Sequence, residues 1–222
     1  MAESTPIVEW RDGVPISIEF DDPYYSLGDG AAESAHVFLA GNGLPERFRP
    51  GFRIAELGFG TGLNLIVAAK AWCESGVDGP LHVTSFEQAP LRPAEMRQAV
   101  ATFPAYAAIA DALITALEAR PERIDLPWLQ FRLINGDANN TLPAWGGAAD
   151  AWFLDGFSPA KNPSLWGEAL MAEVARHTAP GGTAATYTAA GHVRRALSSA
   201  GFTVERRAGF ARKRHMTVAW MA

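Results

Sequence analysis

The spacing of apolar positions changes near residue 50. Before it, the chain reads as short extended pieces and turns. Residues 14–20 alternate like a strand, the Asp21-Asp22-Pro23 step breaks it, and residues 33–39 have helical spacing that ends at Gly41-Asn42-Gly43. From residue 51 onward, short apolar runs alternate with helical stretches. Strands are predicted at 52–57, 81–87, 131–134, 150–155 and 182–188. Helices are predicted at 63–73, within 93–119, at 164–177 and at 191–200. Two last strands, 202–207 and 215–221, follow with no helix between them. Strands that alternate with helices imply a mostly parallel sheet covered on both faces. The final pair implies a hairpin, and hence one antiparallel strand.

The reading is therefore α/β: a seven-stranded sheet with one antiparallel strand over residues 51–222, and a small N-terminal extension, residues 1–50, packed on it. The composition agrees. The chain has 222 residues, 48% of them hydrophobic and 19% charged, enough for a core in one domain with a small annex. Cys73 is the only cysteine, which excludes an intrachain disulfide and a cysteine-rich zinc site. No basic segment followed by an apolar run opens the chain, and no run approaches the roughly 18–20 apolar residues that span a bilayer. The expectation is a cytoplasmic protein with no membrane partner.

The formal charge of −5 argues against a nucleic-acid partner. The average conceals an asymmetry. Residues 190–222 hold seven basic groups (Arg194, Arg195, Arg206, Arg207, Arg212, Lys213 and Arg214) and one acid, Glu205, for a net of +6. The first 189 residues then sum to −11. Such an end is either an anion-binding surface or a chance cluster of solvated side chains.

The segment Glu56-Leu57-Gly58-Phe59-Gly60-Thr61-Gly62-Leu63-Asn64 follows the first core strand, where open α/β sheets bind ligands. Dinucleotide loops prefer a small residue at the position held here by Leu63, and have no use for an acid two residues before the first glycine. Acid-x-Gly-x-Gly-x-Gly resembles the cofactor loop of class I S-adenosylmethionine methyltransferases, whose fold is Rossmann-like. Glu87 ends the second strand, where a carboxylate can accept two hydrogen bonds from a ribose diol. Asp137 follows the third strand, at the place of an adenine contact. Each acid taken singly also reads as a cap or turn residue.

The fourth strand ends in Asp155-Gly156-Phe157-Ser158-Pro159. A carboxylate there can dock an ammonium group and help remove its proton, or it can simply cap the next turn. Phe157 would wall the site. Lys161, in the stiff loop 159–163, either reaches a phosphate or is solvated. Trp145, Trp152 and Trp166 read as packing residues rather than base platforms.

Together these blocks resemble the bacterial MnmC/MnmD methyltransferase family, which makes 5-methylaminomethyl-2-thiouridine at the wobble position of tRNA. The resemblance rests on residues 20–26, 41–48, 56–64, 85–87, 152–163 and 209–216, and so spans nearly the whole chain. It implies methyl transfer from S-adenosylmethionine to the primary amine of 5-aminomethyl(-2-thio)uridine, releasing S-adenosylhomocysteine, with no metal and no FAD in this chain. Carried over by position, Glu56, Gly58, Gly60, Gly62, Asn64, Glu87 and Asp137 would bind the cofactor, and Asp155 would face the amine. Tyr24, Tyr25, Phe157 and Pro159 would line the base pocket. Lys161, Arg194, Arg195, Arg212, Lys213 and Arg214 would hold tRNA. In bifunctional relatives an FAD-dependent oxidase domain follows, and nothing here could be that oxidase. Two other readings stay open: an amine methyltransferase or aminopropyl-type transferase acting on a small molecule, and a non-catalytic binding module.

Overall fold

The computed structural model describes residues 6–222. In chain order come β1 (Val8–Arg11), β2 (Val14–Ser17), β3 (Asp22–Pro23) and α1 (Gly30–Ser34), which runs on as a π-helical turn, Ala35–Leu39. Then follow β4 (Arg53–Leu57), α2 (Leu63–Ser75), β5 (Leu81–Glu87), α3 (Pro93–Val100) and α4 (Ala107–Ala119). After β6 (Arg123–Leu126), β7 (Leu129–Asn135), α5 (Ala138–Thr141) and β8 (Ala149–Leu154) come α6 (Glu168–Arg176), β9 (Thr178–Thr186), α7 (Gly191–Ser199), β10 (Thr203–Ala208) and β11 (His215–Trp220).

The main sheet has the order β10-β11-β9-β8-β4-β5-β7-β6. The seven expected strands are all present, and β11 runs antiparallel to both its neighbours. The count differs from expectation by one. An eighth strand, β6, pairs antiparallel with β7 at the far edge, so two strands rather than one oppose the rest. Its sequence, Arg-Ile-Asp-Leu, has only Ile124 fully buried. So short an edge strand is set by its two-residue connection to β7 rather than by its own pattern. The N-terminal segment adds a separate three-stranded sheet, β1-β2-β3.

Burial explains the layering. Along β8 every residue is buried; Ala151 and Phe153 join the apolar cluster on one face, and Trp152 and Leu154 join the other. This is the period-2 signature of a strand covered on both sides. One face packs against α2, α4 and the N-terminal helices, the other against α6 and α7.

The order of strands also fixes the site. The chain steps from β4 outward to β5 and β7, then returns to β8 on the opposite side of β4. The carboxyl ends of β4 and β8 therefore bound the crevice where ligands bind in open α/β sheets.

Candidate active site

Both halves of this crevice grow from one ladder. The amide of Asp155 donates to the Leu57 carbonyl at 3.0 Å, continuing the β4–β8 pairing past its last regular step. The glycine loop turns at this point with Gly58, Gly60 and Gly62 all at positive φ. A Cβ on Gly58 would lie 3.1 Å from the backbone of Asp155 and Gly156. Only a residue without a side chain lets the loop pass the end of β8.

A cavity of about 690 Å³ opens above these strand ends. Its walls come from the glycine loop, from Asp155–Ser158, from the N-terminal segment around Tyr24, Tyr25, Glu33 and Ser34, and from Tyr187 and the β10–β11 loop. A second cavity of about 270 Å³ shares Phe59 with it and runs past Gln88, Met96 and Asn135.

Four polar groups organise the floor. Glu56 is 1% exposed; it accepts from Ser85 Oγ at 2.5 Å and from Asn64 Nδ2 at 3.0 Å. Burial pushes its carboxyl up to about 8, against these two donors, so at neutral pH it is largely protonated. Asn64 Nδ2 also donates to Asp155 Oδ2 at 2.8 Å, while the Gly156 amide donates to Asp155 Oδ1 at 2.8 Å. Asp155 sits deep but open to the cavity. Burial raises it to about 6, with the Gly156 and Asn64 bonds and the Lys213 charge opposing. Glu87 takes the Gly60 amide on Oε2 (3.0 Å) and the Ala89 amide on Oε1 (2.9 Å), and burial again raises its carboxyl.

The wall is aromatic. Phe157 stacks on Phe20 with centroids 4.6 Å apart and meets Tyr24 edge-on at 5.1 Å. Trp166 Nε1 donates to the Phe157 carbonyl at 3.0 Å, and Tyr187 Oη donates to the Gly156 carbonyl at 2.8 Å. Asp22 Oδ2 accepts the Ser158 amide at 2.8 Å, which ties the N-terminal segment to the loop after β8. Tyr25 Oη donates to the Ala99 carbonyl at 2.9 Å.

The structure thus brings Gly58, Gly60, Asn64, Glu87, Asp155, Tyr24, Tyr25 and Phe157 to one cavity, with Glu56 beneath them. Gly62 starts α2, with its Cβ position blocked by Met96 and Phe59. Asp137 is off the cavity wall: it caps α5, accepting from the amide and side chain of Asn139, both at 2.9 Å. Pro159 also lies off the wall, and Lys161 is engaged by Asp21 and Asp22. The basic residues divide. Arg195, Arg212 and Arg214 are exposed and Arg194 is half-buried. Lys213 turns inward: its Nζ is 2.8 Å from Glu33 Oε1 and 4.3 Å from the Tyr187 ring centroid.

Sequence reasoning missed Glu33, Ser34 and Tyr187. For the first two the signal was present, a polar pair inside an otherwise apolar helical run, both of them buried.

The arrangement fits S-adenosylmethionine. At Gly58 and Gly60 the loop brings backbone that carries no side chain to the cavity wall. Glu87, on the cavity wall with its carboxylate anchored by the Gly60 and Ala89 amides, is an acceptor placed where a ribose diol could donate.

Comparison with known proteins agrees. A family model described as S-adenosyl-L-methionine-dependent methyltransferase matches residues 96–222. The chain belongs to this methyltransferase family. Two relatives, each called tRNA 5-methylaminomethyl-2-thiouridine biosynthesis bifunctional protein MnmC, come from Caulobacter vibrioides and Chromobacterium violaceum. The first is 46% identical over 97% of this chain and 38% of its own length. The second is 39% identical over 100% of this chain and 35% of its own length. The chain therefore spans little more than a third of the curated relatives it matches. The crystal structure of MNMC2 from Aquifex aeolicus superposes with a TM-score of 0.80 at 27% identity, covering 99% of this chain and 71% of that one. The methyltransferase is thus an α/β enzyme of the expected class. Among the described residues, no helix is long and apolar enough to cross a membrane.

Proposed function

We propose that this methyltransferase methylates the exocyclic primary amine of 5-aminomethyl(-2-thio)uridine at the wobble position of tRNA, giving 5-methylaminomethyl(-2-thio)uridine. The observation that carries the reading is Asp155: a carboxylate anchored on both oxygens at the cavity floor, one strand over from the cofactor loop.

Glu87 and the glycine loop would hold S-adenosylmethionine, with Glu56 ordering the loop from below. Bound there, the cofactor supplies an activated methyl group. Asp155 does the rest of the polar work. An alkyl amine has a pKa of about 10 and arrives as ammonium. Asp155 is charged above about pH 6; it docks that ammonium and accepts its proton, directly or through water. Tyr24 and Phe157 wall the amine in and exclude water, so that alignment rather than acid strength sets the rate.

The tRNA assignment is supported by the relatives' names and by the basic residues near the C-terminal end: Arg212 lines the cavity, Arg195 and Arg214 are exposed, and Arg194 is half-buried. A tRNA substrate places the activity in the cytoplasm. We read residues 1–50 as an extension that completes the substrate pocket, and 51–222 as the catalytic domain; residues 1–5 lie outside those described. Asp137 remains a proposed adenine contact, two residues after Asn135, which lines the second cavity. In a longer chain, or in a partner, an FAD-dependent oxidase would supply the amine.

The test is transfer of radiolabelled methyl groups to tRNA from a strain lacking the activity, followed by nucleoside analysis. The label is expected in methylaminomethyluridine. Asp155→Ala should abolish transfer while S-adenosylmethionine binding persists. Label in another nucleoside, or wild-type transfer by the variant, would overturn the reading.

A further inference from the structure

The side chain of Asn64 makes three hydrogen bonds that point in two directions. Its Nδ2 gives one N–H to Glu56 Oε1 at 3.0 Å and the other to Asp155 Oδ2 at 2.8 Å. Its Oδ1 accepts the Ser34 hydroxyl at 2.6 Å. An amide has one donor end and one acceptor end, so two carboxyls on one side and a hydroxyl on the other leave it one orientation. Ser34 is buried at the end of α1, a helix whose first turn is capped by Asp29, accepting from Ala32 at 2.9 Å. The N-terminal segment therefore reaches the reaction centre through one hydroxyl and one amide.

We propose that Asn64, oriented by Ser34, is a positioning residue that sets the rotamer and the charge of Asp155 for the incoming amine. The inference rests on Asp155 being the group that meets that amine.

Two consequences follow from the geometry. Asp155 Oδ1 is fixed by the Gly156 amide and Oδ2 by Asn64, so the carboxylate plane cannot rotate, and each oxygen keeps a lone pair for the substrate. Second, Asn64 separates two carboxyls that would otherwise share a site. Facing Asp155 are Glu56 from β4, Glu33 from α1, Lys213 from the β10–β11 loop and Tyr187 after β9. Only Lys213 among these is cationic. A neutral amide donating to both carboxyls lets Glu56 hold its proton while Asp155 gives its own up.

The test uses the whole chain, S-adenosylmethionine and tRNA bearing 5-aminomethyl-2-thiouridine. Asn64→Ala removes a donor to the Asp155 carboxylate. Its carbon-13 carboxyl titration should move to higher pH, and the acid limb of kcat/KM should move with it. A freed rotamer should lower kcat on the order of 10- to 100-fold. Ser34→Ala keeps the amide but loosens it, and should shift both curves the same way by less. It serves in place of Asn64→Ala if that variant does not fold. An Asp155 titration and acid limb that stay at wild-type pH would overturn the proposal, as would a loss confined to the KM for S-adenosylmethionine. Asp155→Asn separates the two readings. If it abolishes transfer while Asn64→Ala leaves the limb unmoved, the positioning role alone is wrong. If Asp155→Asn keeps wild-type transfer, the role of Asp155 itself is wrong.

Discussion

Lys213 Nζ lies 2.8 Å from Glu33 Oε1 and hangs over the Tyr187 ring. The contact joins the β10–β11 loop to α1 across the mouth of the cavity. Glu33 is 7% exposed, and its Oε1 has no hydrogen bond of its own, so the ammonium is what balances it. Lys213→Met should destabilise the fold by about 1 kcal/mol, a modest value because the lysine side chain is nearly half exposed. It should also raise the Asp155 carboxyl, because the Lys213 charge opposes that shift. The acid limb of methyl transfer then moves above the wild-type value near pH 6. A pH–rate profile beside a thermal melt checks both effects.

The neighbouring arginines should behave differently. Arg212 and Arg214 are exposed on the same loop. Reversing both, Arg212→Glu with Arg214→Glu, should raise the KM for tRNA and flatten its dependence on salt, since fewer counterions are released on binding. Calorimetry should find S-adenosylmethionine affinity unchanged. An unaltered tRNA KM would make these charges mere solvation.

Glu56 should leave its mark on stability. In the unfolded chain a glutamate titrates near the ordinary 4.5, and in the fold near 8. Between those values the folded state binds a proton that the unfolded state does not, so stability falls as pH rises. The contribution is fully present below about pH 4.5 and is lost as pH climbs through about 8. Asp155 and Glu87, also raised, add slopes of the same sign. Glu56→Gln stays neutral and can still accept from Asn64 while donating to Ser85. Its melting temperature should decline less between pH 5 and 8 than that of the wild type. Parallel melting curves across that range would contradict the buried, protonated state.

Gly58→Ala tests the join between the two strand ends. The residue sits at φ +80°, and the new Cβ would press on backbone atoms of Asp155 and Gly156, which no side-chain rotation relieves. A loss of roughly 1–3 kcal/mol is expected. S-adenosylmethionine affinity should fall with it, measured by denaturant unfolding and by calorimetry.

Much of this site was legible in the sequence because it lies at strand ends. Glu56, Glu87 and Asp155 close runs whose apolar pattern marks them as core strands, and topology alone then gathers them. Strand β5 falls at the expected residues, 81–87, because both its faces are packed. The inward turn of Lys213 was not legible. A lysine between two arginines reads as a solvated cluster, and only the fold shows that Glu33, remote in the chain, lies opposite. Asp137 was ambiguous for a related reason: an acid after a strand reads equally as ligand contact or helix cap, and here it caps α5. Strand β6 escaped because a lone buried isoleucine carries no period.

The ladder between Leu57 and Asp155 has a mechanical consequence. On the proposed assignment, the seat of the methyl donor and the seat of the amine would be carried by adjacent strands of one sheet, joined by this bond at the last residue of β4. Neighbouring strands lie about 4.8 Å apart, and a packed sheet holds that spacing stiffly. The approach of amine to methyl would then be gauged by the sheet itself, as two jaws of a fixed calliper, with no hinge needed between the seats. Above them, the N-terminal segment and the β10–β11 loop meet through Glu33 and Lys213, outside this ladder.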